Sequence, residues 1–189
     1  MKNLIIALKI FILMTIITGL LYPLAITGYA QIFFSNKANG SLITRDKKIL
    51  GSELIGQQFN KPEYFWGRPS AIGNIPLPSG GSNLNPLGAN FKEKFQARVD
   101  TIRKYHGNIE INKIPKDLIF ASASGVDPHI SPETAYFQVD RISKSRHLSD
   151  EQIKKLKILI QSSIVKPDLY IFGEYRINVL DLNLKLDGI

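Results

Sequence analysis

The chain has 189 residues, of which 44% are hydrophobic and 21% are charged, and its 24 basic side chains (Lys and Arg) outnumber 16 acidic ones (Asp and Glu). These averages are typical of a globular protein and exclude a disordered or collagen-like chain. The sequence contains no cysteine, which excludes disulfide bonds, zinc–thiolate sites and thiol catalysis. Basic and acidic residues are interspersed, so the net charge of +8 indicates a mixed solvated surface and no nucleic-acid partner.

The N-terminal segment is long and apolar enough to be a membrane anchor. Residues 10–36 carry no charged side chain. As a helix, residues 10–34 would extend about 37 Å, which exceeds the roughly 30 Å hydrocarbon core of a bilayer. We therefore expect a membrane anchor in residues 1–34, with its span at about 10–34, followed by one compact domain in residues 35–189.

The charges beside the anchor predict its orientation. Lys2 and Lys9 precede the apolar run, so the positive-inside rule places the N-terminus in the cytoplasm and the domain in the periplasm or outside the cell. A cleaved signal peptide is the alternative, with Gly28, Tyr29 and Ala30 as its cleavage site. The apolar run is about twice as long as the apolar region of a signal peptide, which favours the anchor.

Local patterns predict a domain of helices and short strands, α+β or α/β in class. Residues 41–50 predict a hairpin, and residues 56–90 form a Pro- and Gly-rich segment that predicts a long irregular loop. Residues 178–186 fit a strand or a helix. The other predicted elements, in chain order, are a helix from Asn85 to His106, a strand at 118–121, a helix opening at Ser131 with Ala135, Val139 and Ile142 facing inward, a helix with Ser149 and Gln152 as its capping box, and a strand at 169–172.

One part of the Pro- and Gly-rich segment has the composition of an anion-binding loop. Residues 79–83 are Ser79, Gly80, Gly81, Ser82 and Asn83, and backbone N–H groups of such a loop can cradle a phosphate. The Lys-Ser/Thr pair of a P-loop is missing, and no strand leads into the segment. A structural turn and a ligand or partner contact both remain open.

A second cluster joins two carboxylates and an imidazole. Asp127, His129 and Glu133 lie within seven positions, but a metal site would need further ligands, and a triad with Ser124 would need a nucleophile elbow. The simpler interpretation is that Asp127 caps its own loop and His129 bonds to nearby backbone. We therefore predict no catalytic residue and no metal ligand in this chain.

Two further features have both a structural and a functional interpretation. Tyr64, Trp66 and Arg68 suit either core packing with a locally paired arginine or a partner surface, where aromatics and Arg are favoured. Gln138 lies on the helix that opens at Ser131, and its spacing does not distinguish a site from a buried polar residue. His106 falls at a predicted helix end, where a protonated imidazole favours the helix dipole.

Five segments, taken with the single N-terminal span, resemble the C subunit of the bacterial potassium-transporting ATPase, the Kdp system. The resemblance covers essentially the whole chain, and the fourth segment is the most specific. One departure is Asp46-Lys47, where Asp-Gly is expected in the hairpin turn. The segments are 51–57 (GSELIGQ), 64–71 (YFWGRPSA), 79–84 (SGGSNL), 121–132 (ASASGVDPHISP) and 178–184 (NVLDLNL).

The resemblance implies a non-catalytic subunit of a four-part complex in the bacterial cytoplasmic (inner) membrane. That complex imports potassium at high affinity and consumes ATP, while this chain itself holds no cofactor. The implied partners are a channel-like subunit, a P-type ATPase subunit and a small single-span subunit, besides membrane lipid. The family is described as a catalytic chaperone that raises the ATP affinity of the ATPase subunit, and the corresponding residues here are Ser79, Gly80, Gly81 and Gln138.

The predicted orientation conflicts with a direct nucleotide role, because it places residues 79–83 where ATP is scarce. We therefore expect the domain to cap the outer face of the ion-carrying subunit, where it would stabilise assembly or shape ion entry. The alternative is a membrane-anchored exported enzyme or ligand-binding module that uses residues 79–83 and 127–133. The sequence leaves open which face meets the channel-like subunit, whether ATP touches this chain, and whether the cell has an outer membrane.

Overall fold

The first part of the chain, Met1–Leu42, is dominated by a long apolar helix. In the computed structural model, which describes residues 1–45 and 47–189, α1 (Lys2–Ile16), a π-helical turn (Ile17–Leu21) and α2 (Tyr22–Phe33) run on without a break. Together they are long and apolar enough to cross a membrane, as the sequence predicts.

Pro23 does not break this helix, because a wider turn lies directly before it. Proline has no N–H group, and its ring crowds the carbonyl group one turn earlier. The N–H of Tyr22 donates to the carbonyl of Ile17, five residues back, which is the hydrogen bond of a π turn. The extra residue in this turn gives the proline ring room while the helix continues.

The second part, Ile43–Ile189, has its own core and is described separately. It mixes helices and short strands, which confirms the predicted fold class. In chain order, the elements that follow α2 are α3 (Ser35–Ala38), β1 (Leu42–Arg45), β2 (Lys48–Ser52), α4 (Ala89–His106), a 3₁₀ turn (Ile111–Lys113), α5 (Lys116–Ile119), β3 (His129–Ile130), α6 (Pro132–Phe137), α7 (Val139–Ser145), α8 (Asp150–Ser162), β4 (Ile177–Asn178) and α9 (Val179–Leu186).

Within residues 1–45 and 47–189, the strands form two small sheets. β1 pairs with β2, which confirms the hairpin, although Asp46 in its turn lies outside the described residues. β3 and β4 are antiparallel, with His129 opposite Asn178 and Ile130 opposite Ile177. This second pairing places the end of segment 121–132 beside the start of α9.

Two hydrophobic clusters make up the core. The larger one lies among α6, α7, α8 and α9 and includes Ala135, Val139, Ile142, Leu156, Ile160, Leu182 and Leu186. The smaller one joins α4 to α5 through Val99, Ile102, Ile114, Leu118 and Ile119. The inward face predicted for the helix after Ser131 is confirmed, since Ala135, Val139 and Ile142 are all buried.

Capping residues set several helix boundaries as predicted. The Ser131 hydroxyl accepts the N–H of Thr134 at the start of α6, and Ser149 and Gln152 form a complete capping box on α8. The predicted start of the helix at Asn85 is wrong, because its side chain accepts the N–H of Leu87 in a turn and α4 begins only at Ala89.

Two predicted strands are wrong. Residues 118–121 overlap the one-turn helix α5, where the N–H of Phe120 donates to the carbonyl of Lys116 and no strand pairs with them in the described residues. Residues 169–172 form an exposed turn, in which Leu169 and Tyr170 take left-handed backbone conformations (φ 52° and 61°). Both runs are short and apolar, and that composition alone does not specify a strand partner.

The ambiguous residues 178–186 are mainly helical. Asn178 caps α9 by accepting the N–H of Asp181, and the buried positions Val179, Leu182 and Leu186 follow the helical period. The alternating leucines that suggested a strand fit the helix because Leu184 lies at the edge of the buried face.

Candidate functional site

Three of the family-like segments meet on one side of the domain. We call the place where residues 67–74, 79–83 and 121–128 touch the motif junction. Its backbone contacts are specific: the N–H of Gly80 donates to the carbonyl of Ser124 (2.9 Å), and that of Ser122 donates to Pro69 (3.0 Å). The Ser70 hydroxyl donates to the carbonyl of Gly125 (2.6 Å). The first candidate loop, 79–83, therefore lies against residues 123–125, which directly precede the second candidate loop, 127–133.

Glycines allow the backbones of the motif junction to approach this closely. A Cβ atom on Gly81 would lie 2.9 Å from the carbonyl oxygen of Ala123. One on Gly125, whose φ is 73°, would lie 2.6 Å from the carbonyl oxygen of Gly80. By contrast, a Cβ on Gly80 would meet nothing within 4 Å. The junction is a packed structure in which Gly81 is confined and Gly80 is not.

The remaining side chains of the loop face solvent. Ser79, Ser82 and Asn83 are exposed, and Asn83 has a left-handed backbone conformation (φ 47°). The N–H of Gly80 is already hydrogen-bonded to Ser124, so this group is not free to bind a phosphate. The loop thus exposes small polar side chains to solvent, while its backbone is held by residues 123–124.

Arg68 and Asp127 form the charged part of the motif junction. Arg68 Nη1 lies 3.1 Å from Asp127 Oδ2, and its Nε lies 4.0 Å from Asp117 Oδ1. The other oxygen of Asp127 accepts the backbone N–H of His129 (3.0 Å), as predicted for a carboxylate that caps its own loop. Arg68 therefore pairs with carboxylates that are distant in sequence, and both oxygens of Asp127 are occupied.

These contacts also set the ionisation of Asp127. Burial by itself raises the pKa of this carboxyl group, but hydrogen bonds from the side chain and backbone of His129 and the charge of Arg68 lower it by more. The net effect is a pKa below the ordinary value, so Asp127 is a carboxylate at neutral pH. His129 Nδ1 lies 3.5 Å from Asp127 Oδ1.

Gln138 lies behind the motif junction and is completely buried (0% exposed). Its Oε1 accepts the N–H of Trp66 (2.8 Å) and Nη2 of Arg141 (2.6 Å). Its Nε2 donates to the carbonyl groups of Trp66 (3.1 Å) and Thr134 (3.3 Å). Both ends of the amide are occupied within the domain, so a direct nucleotide contact by Gln138 would require these bonds to break.

Arg141 was not singled out by any sequence pattern; it is 3% exposed and hydrogen-bonds to Gln138. Its guanidinium donates to the carbonyl oxygens of Pro62 and Tyr64 and lies over the Trp66 ring, 3.9 Å from the centroid. Burial lowers the pKa of Arg141 to about 9. The group remains charged at neutral pH, held by neutral oxygens and an aromatic face.

Asn183 completes this arrangement from α9. Its side-chain amide accepts the N–H of Phe65 (2.8 Å) and donates to the carbonyl of Phe65 (3.0 Å). We call residues 62–66 the aromatic strap, since side chains from two helices hold its backbone across the core. Asn183 is buried among leucines, and a lone polar residue in an apolar helix face is the signal that would have found it.

The three aromatic or basic interface candidates are only partly buried. Tyr64 packs against the larger core cluster, and the guanidinium of Arg146 lies over its ring. Trp66 packs against the smaller cluster and donates its indole N–H to the carbonyl of Lys61 (2.9 Å). A groove of about 540 Å³ lies beside Trp66, between the chain after the aromatic strap and α4, and its lining includes Lys94 and Arg98.

His106, at the end of α4, differs from its predicted role. Its ring stacks on Phe137 at 4.5 Å between centroids. Burial, assisted by the charges of Arg141 and Lys144, lowers the pKa of His106 to about 4, while the charge of Asp140 acts in the opposite direction. The imidazole is therefore neutral at pH 7, and the predicted interaction of a protonated ring with the helix dipole is wrong.

Known proteins resemble this chain over nearly its full length. The family described as KdpC, K+-transporting ATPase, c chain, matches residues 4–188. Proteins named potassium-transporting ATPase KdpC subunit are 46% identical in Leptospira interrogans (97% of this chain, 92% of the relative) and 44% identical in Dechloromonas aromatica (97% and 95%). One from Burkholderia cenocepacia is 43% identical (100% and 97%). The chain belongs to the KdpC family, the c chains of the K+-transporting ATPase.

Proposed function

We propose that this chain is a non-catalytic subunit whose domain docks on the channel-like subunit of the potassium-import complex and stabilises or regulates it. Membership of the KdpC family supports a role in potassium import within that complex. The orientation proposed here places the domain on the outer side of the bacterial cytoplasmic membrane, since Lys2 and Lys9 precede the span. The ATPase subunit and the small single-span subunit are the other proposed partners.

The observation that carries this proposal is that Asp127, at the motif junction, and Gln138, behind it, have their polar atoms occupied by partners within the domain. Asp127 uses both oxygens and Gln138 uses both ends of its amide within the domain. A catalytic group has to exchange partners during a reaction, whereas a docking module benefits from surfaces held rigidly in place. This arrangement supports the accessory subunit over the alternative of an exported enzyme or ligand-binding module.

In this proposal the chain would raise the ATP affinity of the ATPase subunit, the chaperone role described for the family, without touching ATP itself. In the proposed orientation ATP does not reach residues 79–83, and Gln138 is buried. We propose that the motif junction influences the ATPase subunit through contacts among the membrane-embedded subunits, while ATP and potassium are bound elsewhere in the complex.

The side of the membrane on which the domain lies is the first thing to measure. Lys116→Cys and Lys157→Cys place single thiols on exposed helix positions of a chain with no native cysteine. A membrane-impermeant thiol reagent should label both in intact cells, or in spheroplasts if an outer membrane is present. Asn3→Cys, near the N-terminus, is the matched control and should react only after the membrane is opened.

The opposite pattern would contradict the proposal. Labelling of Asn3→Cys from outside, together with protection of both domain positions until the cells are broken, would place the domain in the cytoplasm. Direct contact with ATP would then become the better explanation of the chaperone description.

A further inference from the structure

The turn at residues 169–172 exposes four large hydrophobic side chains in succession. Leu169, Tyr170, Ile171 and Phe172 are 79%, 76%, 77% and 64% exposed. Outside the N-terminal helix, no other run of four such residues occurs among the residues that the structure describes. We call these four residues the apolar turn. Single exposed hydrophobic residues are ordinary, but a contiguous apolar patch is a mark of an interaction site.

The backbone holds the apolar turn in a fixed shape. Asp168 and Phe172 exchange two backbone hydrogen bonds of 2.9 Å, and Val165 and Arg176 exchange two more (2.8 and 3.1 Å) at its base. Leu169 and Tyr170 both have left-handed conformations, which cost roughly 1–2 kcal/mol each for residues other than glycine. The turn is thus ordered before any partner binds, and its strained backbone presents side chains that the domain's own core does not use.

The charges beside the turn favour a protein partner over lipid. Lys166 and Asp168 precede it, and Glu174 and Arg176 follow it, so the neighbouring charges cancel. Segments that bind anionic membrane surfaces carry an excess of Lys and Arg, and each carboxylate here would oppose insertion between lipid headgroups. An uncharged protein pocket does not require an excess of basic residues. The charged residues on either side of the turn would stay at the polar rim of such a pocket.

From these observations we infer that the apolar turn docks into an uncharged, apolar pocket on the channel-like subunit of the potassium-transporting complex. The inference rests on the proposed function and specifies the surface that the domain uses. Large rigid side chains at the centre of an interface commonly contribute most of its binding energy. A groove of about 710 Å³ beside the turn is lined by apolar side chains, Ile164, Pro167 and Tyr175 among them, and also by Glu133, Lys166 and Glu174.

Ile171 and Ile158 offer a matched pair for the test. Both are isoleucines, 77% and 68% exposed, but Ile158 lies on α8, outside the apolar turn. A photoreactive benzoylphenylalanine replaces either residue in the full-length chain, and the whole complex is irradiated in its native membrane. We expect position 171, and not position 158, to form an adduct with the channel-like subunit.

The outcomes separate this inference from the proposed function. If the native chain does not co-purify with the channel-like subunit, the proposed function fails. If it co-purifies while position 171 gives an adduct only with a different subunit, only with lipid, only with a second copy of this chain, or none at all, the inference alone is overturned. An equal yield of subunit adducts at positions 171 and 158 would also overturn it.

A substitution provides a second readout on the assembled complex. Ile171→Asp should reduce the amount of this chain retained on the purified complex by about tenfold after a detergent wash, because a carboxylate would enter the apolar pocket. Ile158→Asp should leave retention unchanged. Both side chains are exposed, so both variants should show the thermal unfolding of the native chain, and equal retention of the two variants would contradict the inference.

Discussion

Gly81 and Gly80 are neighbours in the motif junction but differ in what surrounds them. Gly81→Ala would place a Cβ 2.9 Å from the backbone oxygen of Ala123, and we expect a loss of about 1–3 kcal/mol in the free energy of unfolding. Gly80→Ala meets nothing within 4 Å and should change it by no more than about 0.5 kcal/mol. Urea unfolding of the full chain in detergent micelles, followed by circular dichroism, measures both.

The same site can be examined in cells. Gly81→Asp adds a larger, charged side chain at the confined position, so we expect impaired growth when potassium is limiting. Normal growth with a normal yield of the complex would remove any role for the loop. If Gly81→Ala and Gly80→Ala were equally stable, close packing at Gly81 would not be the cause of the growth defect.

Arg141 is a buried cation that donates hydrogen bonds to amide oxygens, the carbonyl groups of Pro62 and Tyr64 and Oε1 of Gln138. Lysine cannot reproduce its forked contacts to Pro62, Tyr64 and Gln138 or its stacking on Trp66, so Arg141→Lys should cost about 2–4 kcal/mol of unfolding free energy. Urea titration again provides the measurement.

The matched control for this substitution is Arg45→Lys, because Arg45 is exposed on β1. We expect its unfolding midpoint to stay at the native value. If Arg141→Lys also unfolded at the native midpoint, the buried contacts of Arg141 would position the aromatic strap without adding to the free energy of unfolding.

At the scale of elements, the ring of His106 joins α4 to α6 by stacking on Phe137, and this ring is more stable in its neutral form. The pKa of His106 falls from its ordinary value of 6.5 to about 4 on folding. Between these values the unfolded chain binds more protons than the folded chain, so stability falls as the pH is lowered from 6.5 towards 4. Because the ring is partly exposed, we expect a loss of about 1–2 kcal/mol over this range.

His106→Phe should retain the stacking on Phe137 and remove this pH dependence. The measurement is the urea midpoint of the full chain at pH 7, 5.5 and 4.5, for the native protein and the variant. Parallel declines in both proteins would assign the acid sensitivity to other groups.

Elements whose signals are local could be predicted from the sequence. Ser131 and Ser149 mark helix starts because each side chain hydrogen-bonds to backbone within three residues. Residues 118–121 and 169–172 were predicted as strands because a short apolar run is compatible with several structures. Only the tertiary surroundings decide between them: Leu118 and Ile119 pack on α4, whereas residues 169–172 pack on nothing in the described core.

At the scale of the whole molecule, the candidate site depends on contacts that no local pattern contains. The sequence singled out Gln138, Trp66 and Asp127 one by one, but not the bonds that join them to distant partners. Gln138 and Trp66 are 72 positions apart, and Arg68 and Asp127 are 59 apart. The resemblance singled out these segments because it compares whole patterns, while the geometry that joins them needed the structure.

The aromatic strap has a consequence for the order in which this protein is made. Phe65 is synthesised 118 positions before Asn183, the residue that pairs with its backbone. At typical translation rates of 5–20 residues per second, the strap waits roughly 6–24 s for this partner. Phe65 lacks its backbone partner for that time, so we expect the nascent domain to depend on holding chaperones until α9 emerges and the core closes in one late step.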